Sequence, residues 1–220
     1  MTTSVSRSKT RILVLHGFYD SAEIRQQQMK ALIRLMKDIE FVFVNAPFEF
    51  VNYNFVSTPA DQRYQWISYK PEWQGTDFDY DTAKESVEFI VNYINLHGPF
   101  DGLLGFSQGA VVCVAALLNI PQWPMLPSCI QFVILVGCPV IVDSQLKPVL
   151  ENFHQQTHLP TLHVSGANDT LITTDMSEAN FKQFNPSYSE FYVHKGGHYC
   201  PSDSDFRQKL KDFIQHVCHP

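Results

Sequence analysis

The strongest constraint on how this chain can fold is a rhythm. Short apolar runs, many of them β-branched, recur along it, and each is followed by a stretch whose apolar residues return at helical spacing. Ile12 to His16 is the first such run, closed by Gly17. Ser21 to Lys37 follows, with Ile24, Met29, Leu32, Ile33, Leu35 and Met36 at roughly helical intervals. Further strands are predicted at Phe41 to Asn45, Gly102 to Phe106, Phe132 to Val136, Thr161 to Ser165 and Glu190 to His194. Further helices are predicted at Thr82 to Leu96, Gln108 to Leu118, Ser144 to Phe153, Met176 to Phe184 and Ser204 to Val217. Thr82 and Glu85 stand at capping-box spacing at the head of one of them.

Strands buried on both faces and alternating with helices specify an α/β protein. Its sheet should be mostly parallel, about six strands wide, and covered by helices on both sides with right-handed crossovers. Ligands then bind beyond the C-terminal ends of the strands. The 220 residues fit one domain, 1–220, and no repeat, low-complexity tract or Pro/Gly/Ser-rich linker marks a boundary.

Composition narrows the function classes. With 45% hydrophobic and 17% charged residues the chain lies well outside the disordered range. A formal charge of −6 without a Lys/Arg cluster argues against nucleic acid as a partner. No apolar run has the length of a membrane span, and Ile12 to Leu15 is too short for a signal-peptide core, so a cytoplasmic location is expected. The 5 cysteines include no C-x-x-C pair, as suits reduced thiols, and the histidines lack metal-ligand spacing, so no metal and no cofactor are expected. A homodimer is admitted as an assembly state, although no sequence feature speaks for it.

Pro47 to Tyr80 breaks the rhythm. It holds Phe48, Phe50, Tyr53, Tyr64, Trp66 and Tyr69 among other aromatics, at more than twice the 13% aromatic content of the chain. An irregular segment of this length is usually functional or disordered, and so many large rings argue for an ordered wall beside a site.

The chemistry starts at Gly105-Phe106-Ser107-Gln108-Gly109, a G-x-S-x-G pentapeptide at the junction of a strand and a helix. There a serine sits on a sharp turn, and small residues two positions to either side let strand and helix approach. A serine hydroxyl becomes a competent nucleophile only when an imidazole takes its proton and a carboxylate orients that imidazole. In the order serine, acid, histidine, the candidates are Asp169, in the turn Gly166-Ala167-Asn168-Asp169 after one strand, and His198, after Lys195-Gly196-Gly197 at the end of another. Asp175 and Asp143 are the alternative acids and His194 the alternative base. Two backbone amides must also hold the oxyanion. Gln108 follows the nucleophile, and Phe18 follows Gly17, whose backbone freedom is expected to aim that amide inward. His16 is expected to fix this loop through a structural hydrogen bond.

Leu15-His16-Gly17-Phe18, Gly98-Pro99-Phe100-Asp101-Gly102 running into Gly105 to Ala110, and His194-Lys195-Gly196-Gly197-His198 together resemble the FSH-type family of serine hydrolases. Asn45-Ala46-Pro47, Tyr64-Gln65-Trp66 and Gly166 to Asp169 are similar to it as well, so the likeness spans nearly the whole chain. It implies a capless α/β-hydrolase acting as a serine esterase on carboxylic esters, often with medium or long acyl chains, while some relatives act on thioesters. The short stretch Gly137 to Asp143, where other hydrolases insert a lid, agrees with the capless form. Tyr19, Phe48, Trp66 and Tyr69 are the candidates for contact with a small acyl ester substrate. The competing readings are an acyl thioesterase with the same residues and a catalytically silent binding protein on the same fold.

Overall fold

A computed structural model of the chain describes residues 9–50, 62–68, 80–118, 120–140, 153 and 158–218. The main sheet is built from β1 (Thr10–Leu15), β2 (Ile39–Val44), β5 (Gly102–Phe106), β6 (Phe132–Val136), β7 (Thr161–Gly166) and β8 (Ser189–His194). It is six-stranded in the order β2-β1-β5-β6-β7-β8, and every neighbouring pair is parallel. The described helices are α1 (Ala22–Gln28), α2 (Lys30–Leu35), α3 (Tyr80–His97), α4 (Gln108–Leu117), α5 (Thr174–Phe181) and α6 (Ser204–Cys218). The helix expected at Ser144 to Phe153 lies almost wholly outside the described residues.

Alternation along each strand divides the core between the two faces. Leu13, Leu15, Leu103, Val133 and Leu135 join one buried cluster, against α3 and α4. Ile12, Val14, Leu104, Phe106, Ile134 and Val136 join the other, against Met29, α2 and α6. All of α4 is buried, which explains why its sequence is apolar all round rather than on one stripe. No helix among the described residues is long and apolar enough to cross a membrane.

Two departures from expectation matter for the site. The single helix expected at Ser21 to Lys37 is divided at Met29, where the backbone leaves helical geometry at φ −88° and ψ 4°. The buried stripe Arg25, Met29, Leu32, Met36 nevertheless runs straight through the break at spacings of four and three. The aromatic segment is also not wholly irregular. Its described ends form an antiparallel ribbon of β3 (Phe48–Glu49) and β4 (Tyr64–Gln65), which is joined to the loop after β1 by a bridge between Asp20 and Tyr64.

Candidate active site

Ser107, Asp169, His198 and the Gly17-Phe18 turn all follow the C-terminal ends of strands, on one edge of the sheet. Ser107 has φ 53° and ψ −116°, a strained conformation for a residue with a side chain. Its N–H is bonded to Val136 O at 2.8 Å, and although it occupies the N-cap of α4 its side chain makes no capping bond. The turn is tight for the expected reason. A Cβ on Gly105 would stand 2.6 Å from the Ala110 amide, and one on Gly109 would stand 2.5 Å from the carbonyl oxygens of Leu15 and His16.

Asp169 and His198 meet. His198 Nδ1 lies 2.6 Å from Asp169 Oδ2, while Asp169 Oδ1 accepts from the amides of Leu171 and Ile172, each at 2.9 Å. A carboxylate oxygen can only accept, so the tautomer that suits this contact carries its proton on His198 Nδ1 and leaves Nε2 as the acceptor nitrogen. β8 is separated from β5 by two strands, roughly 14 Å at the usual spacing, so the His198 side chain must reach back across the sheet to approach the turn after β5. Gly137 leaves room for it. Gly137 has φ +58°, and a Cβ there would fall 2.8 Å from His198 Cε1. The imidazole then packs on the Phe106 ring with centroids 4.7 Å apart, next to Ser107 in the chain.

The loops after β7 and β8 are sewn together by two main-chain bonds and one side-chain amide. Ala167 N donates to His194 O at 2.8 Å, Asn168 N to Gly196 O at 2.9 Å, and the Asn168 side chain to Lys195 O at 2.7 Å. Of the alternative residues, Asp175 is exposed in the first turn of α5, His194 accepts from Gly196 N at Nδ1, and Asp143 lies outside the described residues. Burial pushes the His194 pKa down.

On the oxyanion side one expectation needs correcting. The left-handed residue is Tyr19, at φ 54°, not Gly17. Gly17 is needed for proximity: a Cβ there would be 3.1 Å from the Phe106 ring and 3.4 Å from Ser107 Cβ. His16 plays the expected structural part. Its Nε2 accepts from Ala46 N at 3.0 Å and its Nδ1 lies 2.7 Å from Gly17 O, which fixes a neutral ring protonated on Nδ1. Burial pushes its pKa down, the direction that such a ring requires.

Sequence reasoning missed the Gln108 side chain. Its Oε1 accepts from Trp66 N at 2.8 Å and its Nε2 donates to Ile67 O at 2.7 Å, so the residue after Ser107 also holds the described end of the aromatic segment. Trp66 itself is fully buried and gives its indole N–H to His16 O at 2.9 Å. It therefore supports the loop from inside the core rather than offering a surface to an acyl chain. Tyr19 is 46% exposed and Phe18 42%, and both rings stand edge-on to Phe50. Phe48 is partly buried in β3, and Tyr69 lies outside the described residues. Among the described residues no cluster of His, Cys, Asp and Glu could hold a metal ion.

A parallel sheet in this order, with a serine on a strained turn after one strand and a hydrogen-bonded acid and histidine after two others, defines the α/β-hydrolase class. Solved structures share the fold. Arabidopsis thaliana SOBER1 is 18% identical, with 96% of this chain and 99% of that chain covered and a TM-score of 0.66. Zea mays acyl-protein thioesterase 2 is also 18% identical, with 94% of each chain covered and a TM-score of 0.67. Within that class, the family described as Serine hydrolase (FSH1) matches residues 3–210, and the chain belongs to it and is a hydrolytic enzyme. Curated relatives include Esterase OVCA2 of Danio rerio, 29% identical over 93% of this chain and 96% of its own length. Esterase C25G4.2 of Caenorhabditis elegans is 30% identical over 96% and 95% respectively. The chain spans about half, 51%, of an uncharacterized hydrolase of Schizosaccharomyces pombe that it matches at 28% identity.

Proposed function

We propose that this hydrolase cleaves carboxylic esters through an acyl-enzyme formed on Ser107. The observation that carries the reading is the His198–Asp169 pair, which leaves Nε2 as proton acceptor on a ring packed against Phe106, next to the nucleophile. Ser107 Oγ attacks the ester carbonyl carbon and its proton passes to His198 Nε2. The negative charge on the former carbonyl oxygen is held by the amides of Gln108, at the first turn of α4 where helical N–H groups have no helical partner, and Phe18. Collapse breaks the bond to the alcohol, which leaves with the proton from His198. Water activated by the same ring then releases the acid.

Exposed Tyr19, on the turn after β1, and half-buried Phe48 offer rings to an acyl group, and a medium or long acyl chain is the substrate class we propose. The names of the curated relatives favour an ester. The likeness to an acyl-protein thioesterase keeps a thioester as the second reading, since attack on either carbonyl uses the same residues.

The test is hydrolysis of p-nitrophenyl esters from acetate to palmitate by wild type and Ser107→Ala, with acyl-matched thioesters alongside. Ester turnover that peaks at one chain length and falls by roughly 10⁶-fold in the variant is expected. Turnover confined to thioesters would replace the ester reading, and turnover that survives in Ser107→Ala would end both.

A further inference from the structure

Arg25 is the one buried cation among the described residues, and it stands where an apolar side chain would continue the stripe of Met29, Leu32 and Met36. A buried ion pair is a poor source of stability, because removing both charges from water cancels most of what their attraction returns. Arg25 is better explained by what it touches. Its Nε donates to Asp20 Oδ2 at 2.9 Å and its Nη2 to the same oxygen. That carboxylate also accepts from Gly17 N at 3.4 Å and, through Oδ1, from Ser21 N at 2.9 Å. The backbone of Asp20 bonds Tyr64 N at 2.8 Å. The turn carrying the Phe18 amide is thus closed from below by one carboxylate, and that carboxylate is held by one guanidinium.

The same guanidinium lies over the Phe106 ring, 3.6 Å from its centroid. Phe106 is the residue against which both Gly17 and the His198 imidazole pack. We propose that Arg25, acting with Asp20, is a positioning residue for the hydrolytic reaction: one planar cation ties the oxyanion turn to the ring that seats the base. The inference rests on the roles given above to Ser107, His198 and Phe18. It requires arginine rather than lysine, because only a flat guanidinium can bond a carboxylate through two nitrogens while stacking on a phenyl ring.

Steady-state kinetics on p-nitrophenyl acetate and butyrate for wild type, Arg25→Lys and Asp20→Asn test it, with circular-dichroism melts to measure the folded fraction of each. Both variants should lose about 10- to 100-fold in kcat, the scale of a misplaced reacting group, with KM within about threefold. Lysine should fail to rescue even though it keeps the charge. Labelling of Ser107 by a fluorophosphonate, which needs the base and the oxyanion amides but no ester turnover, should slow in parallel. Wild-type kcat in a folded Arg25→Lys or Asp20→Asn would overturn the inference, as would a loss lying wholly in KM or matching the unfolded fraction. A wild type that neither turns over esters nor takes the label would instead overturn the functional reading itself.

Discussion

The two halves of the site are held by different means. The loops after β7 and β8 are joined by two main-chain hydrogen bonds, by the exposed Asn168 side-chain amide and by the Asp169–His198 pair itself. The turn after β1 is held by buried side chains: Asp20 and Arg25 below, His16 and Trp66 behind, with Gln108 fixing the backbone of Trp66 in turn. Backbone pairing survives most substitutions, whereas a buried polar side chain leaves orphaned partners when it is removed. Substitution of Asn168 should therefore be tolerated more readily than substitution of Gln108.

The largest effect that would sharpen this contrast comes from the acid itself. Asp169→Asn keeps an oxygen for the Leu171 and Ile172 amides but turns an NH₂ group toward His198 Nδ1, favouring the wrong tautomer. kcat should fall by roughly 10⁴-fold while the melting temperature moves little, measured by ester hydrolysis beside a thermal melt. Gln108→Ala keeps the backbone amide but strands Trp66 N and Ile67 O. A loss of about 2–4 kcal/mol in urea unfolding is expected, and a loss under 1 kcal/mol would break the claim that side chains hold this half.

Acid titration probes the half containing β7. Burial drives the His163 pKa from 6.5 down to about 3, so between those values the unfolded chain binds a proton that the folded chain refuses. Stability from this group is intact above pH 6.5 and falls with acidification by up to about 1.4 kcal/mol per pH unit. His163→Phe should flatten the slope of unfolding free energy between pH 6 and 4, and an unchanged slope would shift the effect to His16, whose pKa is lowered in the same direction. The smallest effect belongs to Asn168→Ala. It should cost about 1 kcal/mol and leave kcat within a few-fold, because the backbone bonds beside it remain.

Much of this was legible in the sequence. Strand faces follow from alternation, as in Ile12 and Val14 against Leu13 and Leu15, and strand ends fall within about two residues of expectation. The contact between Asp169 and His198 was legible because each falls after a strand. The β3–β4 ribbon was not, since strands of two residues carry no periodicity. The left-handed Tyr19 was hidden beside a glycine that looked the better candidate. Arg25 left a signal that could have been read, a cation in register with Met29, Leu32 and Met36 on the inner stripe of its helix. Gln108 left none, because its partners are backbone atoms on a segment distant in the chain.

Gln108 also has a mechanical consequence. Its main chain opens the helix behind the nucleophile, and its carboxamide grips Trp66 and Ile67. Any ligand that levers the Trp66–Ile67 strip outward must stretch those bonds and load the first turn of α4. Strain in the buried strip would thereby reach the amide that follows Ser107, and amide hydrogen exchange at Gln108 and Gly109 is the gauge on which that tension would register.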